Sequence, residues 1–269
     1  MTEQKPVWTI IKILNWTKQY FGEKGVENPR LDAEVLLCAV LDYTRLQLYT
    51  HFDQPLEEKE LKEYRGYVAR RAKREPVAYI LGKKGFLQYE FKVTRDTLIP
   101  RPETELLVEK LVRLNKDKGP REILDIGCGS GAILVSLLAH LPEARGLGVD
   151  ISPGAAAVTL ENAEAIGVEE RCAVLVSDLY ANIPPDERFQ VIVSNPPYIP
   201  KKDLPGLQAV ELAPGSLANA AGRFREGFAY APDAAALDAF DALFLVKEKA
   251  ITDFQQEFQV MCSLGHEVI

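Results

Sequence analysis

The sequence predicts an α/β fold: an open parallel sheet with helices on its faces, preceded by a small all-helical domain and a β-hairpin linker. Three observations carry this expectation. Residues 1–82 place apolar side chains at helical spacing. Residues 85–99 change to alternation and to aromatic and β-branched side chains, the mark of a strand pair. From Glu122 onward, short apolar runs alternate with helical stretches, the pattern that yields a parallel sheet with crossover helices.

The elements follow in order. Trp8, Ile11, Leu14, Trp16, Tyr20 and Phe21 mark a first helix over 7–22. Asn28-Pro29 starts a second, with Leu31, Val35, Leu36, Leu37, Val40 and Leu41 on its apolar face. A third follows Pro55 and runs to about Arg74, and Pro76 opens one more turn that Gly82 ends. Beyond the hairpin, Leu98-Ile99-Pro100-Arg101-Pro102-Glu103-Thr104-Glu105 is held extended by its prolines. A helix starts at Thr104 or in the turn before it. Strands are expected at 123–126, 146–150, 172–176 and 189–194, with helices at 131–140 and 152–166 between the first three.

At 269 residues the chain has room for one or two domains. Its N-terminus has no apolar stretch of the kind a cleaved leader carries, so none is expected. No apolar run approaches the ~20 residues of a membrane span. Cys38, Cys128, Cys172 and Cys262 are scattered, as are His51, His140 and His266. Neither a metal site nor a disulfide framework is expected, and a reducing cytoplasm is the natural setting. The net charge of −7 argues against a nucleic-acid surface over the whole protein. Residues 1–80 hold 13 Lys/Arg and 12 Asp/Glu, so the acidity sits later in the chain. Arg70, Arg71, Lys73 and Arg74 cluster at a helix end, where the dipole favours cations. The competing reading is a contact with an acidic or RNA-bearing partner.

Four motifs carry chemistry. Asp125-Ile126-Gly127-Cys128-Gly129-Ser130-Gly131 joins a strand to a helix. Its glycines allow a sharp turn and close approach of a ligand. The G-x-G-x-G spacing and the acid differ from the dinucleotide fingerprint. An acid beside the loop suits a cationic ligand end, such as the amino-acid moiety of S-adenosylmethionine, better than a pyrophosphate. Asp150 ends the next strand, where a carboxylate can accept from both ribose hydroxyls; the plainer reading is a cap for the helix at Ser152-Pro153. Ser177-Asp178-Leu179-Tyr180 follows the third strand, where an adenine would lie. There Asp178 is a candidate acceptor for the exocyclic amine and Leu179 a candidate cover for the ring.

The fourth motif is Asn195-Pro196-Pro197-Tyr198, ending the fourth strand. In an open parallel sheet, ligands bind at the carboxyl ends of strands, so this motif and the glycine loop face one crevice. A side-chain amide followed by a proline-fixed backbone is an acceptor site for an –NH2 group. With the Asn195 oxygen and the Pro196 carbonyl each accepting one N–H, a delocalised nitrogen can pyramidalise and aim its lone pair at a methyl donor. Tyr198 would pack on the flat substrate group.

At these residues the chain resembles the HemK/PrmC family, the release factor glutamine methyltransferases. The resemblance runs from about residue 7 to 204. It includes Arg74-Glu75-Pro76-Val77-Ala78-Tyr79-Ile80-Leu81-Gly82, the Leu98–Glu105 segment, the glycine loop and Val193-Ser194-Asn195-Pro196-Pro197-Tyr198-Ile199. It implies a helical substrate-recognition domain over 1–82, a hairpin linker over 83–103 and a Rossmann-like methyltransferase domain over 104–204. The implied reaction is S-adenosylmethionine-dependent methylation of the glutamine amide in the Gly-Gly-Gln motif of class I peptide chain release factors, giving N5-methylglutamine. Gly127 to Gly131, Asp150, Leu179 and Asn195 would then contact the cofactor, and Asn195 to Tyr198 the glutamine. Arg101 and Glu103 either line the substrate site or merely stiffen the linker. A monomer is expected, with no membrane and no direct DNA contact. The alternatives are an adenine-N6 or cytosine-N4 DNA methyltransferase and a non-catalytic docking module. Residues 205–269 depart from the family pattern, with 13 alanines and apolar positions that fit helix better than late strands. This points to an altered reading frame or a replaced tail, and to a sheet lacking its last strands.

Overall fold

The computed structural model describes residues 7–195 and the backbone of Val246–Ala250. The chain divides into two compact units, Met1–Leu81 and Gly82–Ile269.

The first unit is helical: α1 Ile10–Glu23, α2 Pro29–Leu41, α3 Arg45–Thr50, α4 Glu58–Ala72 and α5 Val77–Leu81. Ile10, Leu14, Phe21, Leu36, Leu37, Leu48 and Tyr64 form its buried centre. The Tyr64 hydroxyl donates to the Ala33 carbonyl at 3.1 Å, and burial pushes this phenol well up. On α1 the buried stripe is Ile10, Ile13, Leu14, Thr17 and Phe21, so the expected apolar face is rotated. Trp16 stands out, 46% exposed and stacked on Tyr20. Helix α3 was not expected. Six residues are too few to show a period, and its signal is the capping box of Thr44 and Gln47.

Glu34 is fully buried on α2 and accepts from the Arg30 and Arg45 guanidiniums and the Tyr49 hydroxyl. Burial alone would raise its carboxyl; those three partners together hold it below the ordinary carboxylate value. Replacing Glu34 by alanine removes the shared acceptor of two guanidiniums and a phenol that remain open to water, and is expected to lower the urea midpoint of the helical unit modestly.

The basic cluster is used internally. Arg70 bridges to Glu75 and the Tyr79 and Ile80 carbonyls, Arg71 pairs with Asp32, and Arg74 reaches the Gly25 carbonyl. Arg70 and Arg71 stand in the last turn of α4, where the dipole favours cations, and the three arginines also staple α4 to neighbouring elements of the same unit.

The second unit opens with the hairpin β1 Lys83–Phe86 and β2 Tyr89–Lys92, starting two residues earlier than the alternation indicated. Next come α6 Pro102–Asn115, β3 Glu122–Ile126, α7 Ala132–His140, β4 Arg145–Asp150, α8 Pro153–Ile166, β5 Cys172–Val176 and β6 Arg188–Ser194. Helix α6 begins before Thr104: Arg101 is its N-cap and Pro102 its first residue, a position that proline's fixed φ favours. The sheet order is β5-β4-β3-β6-β7, parallel from β5 to β6. Strand β7, Val246–Ala250, pairs antiparallel with β6. The region after residue 205 therefore supplies a late strand, contrary to the helical reading of its apolar positions. The remainder of that region lies outside the described residues.

Alternation along β3 and β6 splits the core. Ile123, Val191 and Val193 face Leu107, Val108 and Leu111 of α6 and the apolar residues of α7. Leu124, Ile126 and Ile192 face the other way, with Ile183 and Phe189. Among the described residues, α6, α7 and α8 contribute to the first cluster and no helix to the second, where helices on both faces were expected. Glycines in β4 let α7 approach: a Cβ at Gly146 would stand 2.4 Å from Leu134 Cδ1.

Candidate active site

The carboxyl ends of the central strands meet at one edge. Ile126 of β3 lies opposite Ser194 of β6 and Val149 of β4, and Asp150 lies opposite Val176 of β5. The loops that follow therefore start side by side. The glycine loop, Asp150, the 177–180 turn and Asn195 share this edge, where the strand order reverses around β3.

The loop is a left-handed turn, with φ of +76° at Gly127, +58° at Gly129 and +77° at Gly131. Four of its five amides are spent on the protein. Gly127 and Cys128 donate to the Val149 carbonyl, Gly129 to Asp150 Oδ2 at 2.9 Å, and Gly131 to the Cys128 carbonyl. A phosphate cradle needs those N–H groups free. This loop instead offers a smooth glycine surface: nothing lies within 4 Å of where a Cβ at Gly127 would stand. Cys128 and Ser130 are buried, and Cys128 Sγ lies 3.0 Å from where a Cβ at Gly148 would stand. The Cys128 side chain thus faces the core, and burial pushes its thiol well up.

Gly131 is the tightest point. A Cβ there would come within 2.8 Å of Thr159 Cγ2 and 3.0 Å of Val135 Cγ2, at a φ that side chains resist. Gly131→Ala is expected to cost about 2–4 kcal/mol by strain and overpacking together. Urea unfolding and a parallel cofactor titration would register the loss. Two residues absent from the sequence reading hold the loop from below. The Thr159 hydroxyl donates to the Gly129 carbonyl, and Asn162 Nδ2 donates to the Ser130 carbonyl at 2.8 Å. Asn162 also exchanges two hydrogen bonds with the Lys92 backbone, tying the hairpin edge to the loop. Both lie on α8 far along the chain, and no local pattern marks them.

Asp125 lies one residue inside β3, 1% exposed. The expectation put it beside the loop as partner for a cationic ligand end; the structure sets it beneath, in the strand. Neither carboxylate oxygen has a hydrogen-bond partner. Burial pushes its pKa from 3.8 up to about 7, and the Asp150 charge adds to the rise. The Leu134 N–H at the start of α7 opposes it without closing a full hydrogen bond.

Asp150 is half-buried and locked in orientation: besides Gly129 it accepts from the Ser152 N–H at 2.9 Å through Oδ1. The N-cap of α8 is Ser152, whose hydroxyl accepts from Ala155 N–H, so Asp150 is not the cap. In the next turn Leu179 has a φ of +54°, which a leucine adopts only at a cost. It is half-buried against Leu124, Ile126 and their neighbours. Asp178 is exposed and Ser177 buried, its hydroxyl accepting from Asn182 N–H.

Asn195 is the last described residue after β6 and is half-buried. Its amide nitrogen donates to Thr104 Oγ1 at 3.3 Å. Just before it, the Ser194 hydroxyl donates to the Ile126 carbonyl at 2.7 Å, joining the two strand ends. Arg101 and Glu103 are exposed at the start of α6, flanking the turn that carries Thr104. Pro196, Pro197 and Tyr198 lie outside the described residues.

Two family models match the chain: the PrmC N-terminal domain over 12–82 and the methyltransferase small domain over 102–217. Over 208 residues the chain is 50% identical to the release factor glutamine methyltransferase of Geobacter sulfurreducens, spanning 77% of this chain and 72% of that protein. The chain belongs to the release factor glutamine methyltransferase family. The protein of that name from Rhodopirellula baltica is 40% identical over 206 residues, spanning 75% of this chain and 70% of its own. That from Chlorobaculum tepidum is 41% identical over 217 residues, spanning 77% and 73%. A solved S-adenosylmethionine-dependent methyltransferase from Thiobacillus denitrificans is 25% identical, with a TM-score of 0.29 over 32% of this chain and 34% of its own. The family match agrees with the sequence resemblance and reaches residue 217, past the expected end at 204. No described helix is long and apolar enough to cross a membrane.

Proposed function

We propose that this family member methylates the side-chain amide of the glutamine in the Gly-Gly-Gln motif of class I peptide chain release factors, with S-adenosylmethionine as donor. The observation that carries the reading is the pairing of Ile126 with Ser194. It sets the glycine loop and Asn195 on adjacent strand ends, so that donor and acceptor sites open onto one crevice. The loop fits a donor with a cationic end, because four of its five amides are already engaged and its Gly127 surface is open. Asp150, its carboxylate fixed by Gly129 and Ser152, is placed for the ribose hydroxyls. In this reading Leu179 covers the adenine.

Bound S-adenosylmethionine supplies a methyl carbon activated by the positive sulfonium. The protein's part is orientation. The Asn195 Oδ1 accepts one N–H of the glutamine amide and the Pro196 carbonyl the other. The nitrogen is thereby turned out of conjugation, with its lone pair toward the methyl group. As the nitrogen bonds the methyl carbon, the carbon–sulfur bond breaks with its electron pair left on sulfur, and the methylated nitrogen gives up one N–H proton to solvent. No covalent enzyme intermediate is needed, and rate comes from alignment and charge complementarity. In this reading Arg101 and Glu103, exposed at the start of α6, contact the release factor. The reading includes action as a monomer in the cytoplasm without direct DNA contact. A DNA methyltransferase needs a basic duplex-binding face and base flipping, which a net charge of −7 does not favour.

The test is transfer from labelled S-adenosylmethionine to purified release factor and, separately, to duplex DNA. Label on the release factor supports the reading. Label on DNA alone, or on neither, overturns it.

A further inference from the structure

We propose that Thr104 is a positioning residue: its hydroxyl anchors the Asn195 side-chain amide where the transfer requires it. The inference rests on the proposed function above. An asparagine amide presents an acceptor at one end and a donor at the other, on a torsion whose preferences are broad and roughly two-fold. Only the oxygen end can receive an N–H from the substrate. The nitrogen end would set two donors against each other and leave the substrate amide flat. Fixing the Asn195 backbone therefore does not fix the chemistry; the side chain must be held in place as well.

The structure supplies both constraints with hydroxyls on either side. Ser194 Oγ donates to the Ile126 carbonyl at 2.7 Å and fixes the backbone entering Asn195. Thr104 Oγ1 accepts from Asn195 Nδ2 at 3.3 Å and holds the nitrogen end against α6. The oxygen end, diverging from the same carbon, is then turned away from α6. Thr104 can hold this because its own place is determined. It is only 7% exposed, in the first turn of α6, with its N–H bonded to the Arg101 carbonyl. Pro102 starts that helix with φ preset, and Thr104 is β-branched, with few side-chain rotamers. In the proposed reading the exposed Arg101 and Glu103 contact the partner, while the buried hydroxyl between Glu103 and Glu105 sets the catalytic amide.

The test compares Thr104→Val, which keeps the shape and removes the acceptor, with Thr104→Ser, which keeps the acceptor. At saturating cofactor, T104V is expected to lower kcat on release factor about 10- to 100-fold, the scale of one lost positioning contact. KM for release factor and Kd for S-adenosylmethionine should stay within about twofold, and T104S should restore kcat to within about threefold. A second readout needs no turnover. In the 15N-labelled protein the Asn195 side-chain NH2 signals should shift and lose exchange protection in T104V, and keep both in T104S. Unchanged kcat and unchanged NH2 signals in T104V would overturn the proposal. So would equal losses in V and S, since burial and packing would then be the whole role. If wild-type protein fails to methylate release factor, the functional reading falls, while the NH2 signals still decide whether Thr104 anchors Asn195.

Discussion

Asn195→Ala is expected to lower kcat for release factor methylation by about 10²–10³-fold, the range seen when a preorganised polar group at a reacting centre is removed. S-adenosylmethionine affinity should change by no more than a few-fold. The asymmetry follows from the geometry. The glycine loop and Asp150 are held by Val149, Thr159, Asn162 and Ser152, none of which depends on the Asn195 side chain. The backbone at Asn195 remains anchored by Ser194 on Ile126. Only the acceptor for the substrate N–H is lost. Steady-state kinetics with a cofactor titration would check this, and transfer near the wild-type rate would sink the assignment of Asn195.

Asp125→Asn is expected to remove a pH dependence of stability. The folded carboxyl is raised from 3.8 to about 7 by burial and by Asp150. A raised carboxyl binds its proton more tightly folded than unfolded. The stability this provides is full below about pH 4 and is lost as pH rises through about 7. The whole span corresponds to on the order of 4 kcal/mol. Between about pH 5.5 and about pH 8.5 the wild-type protein should therefore lose about 2 kcal/mol relative to the variant. Paired urea titrations at the two pH values would show the curves converging or crossing in favour of D125N. Parallel behaviour would mean that Asp125 is charged throughout or finds a partner. The effect is one of stability, with Asp125 mostly a neutral acid under the loop below about pH 7.

Much of this was legible in the chain because it is local. The strands β3 to β6 are short apolar runs, and the glycine loop and Asn195 follow two of them directly, so strand order alone brings them together. The position of Asp125 was also readable in principle. Side chains alternate along a strand, and Asp125 shares a face with Ile123, which points at α7. The glycine motif drew attention to its neighbourhood with the ligand and away from its place in the pleat. Other features were not legible, for a physical reason. Thr104 and Asn195 are 91 residues apart, and Asn162 and Lys92 are 70 apart. Such contacts are properties of packing and leave no periodic trace. Strand β7 was missed because Val246-Lys247-Glu248-Lys249-Ala250 is polar, as suits an edge strand, and reads as helix by composition. The short α3 was missed because a capping box was its only signal.

The central claim is that the crevice between the glycine loop and Asn195 methylates a glutamine amide on a release factor. The most direct measurement is mass mapping of a purified class I release factor after incubation with this protein and S-adenosylmethionine. The account predicts the mass of one methyl group on the glutamine of the Gly-Gly-Gln motif, absent with Asn195→Ala. A methyl group on any other residue, or an unmodified glutamine with active wild-type protein, would contradict it.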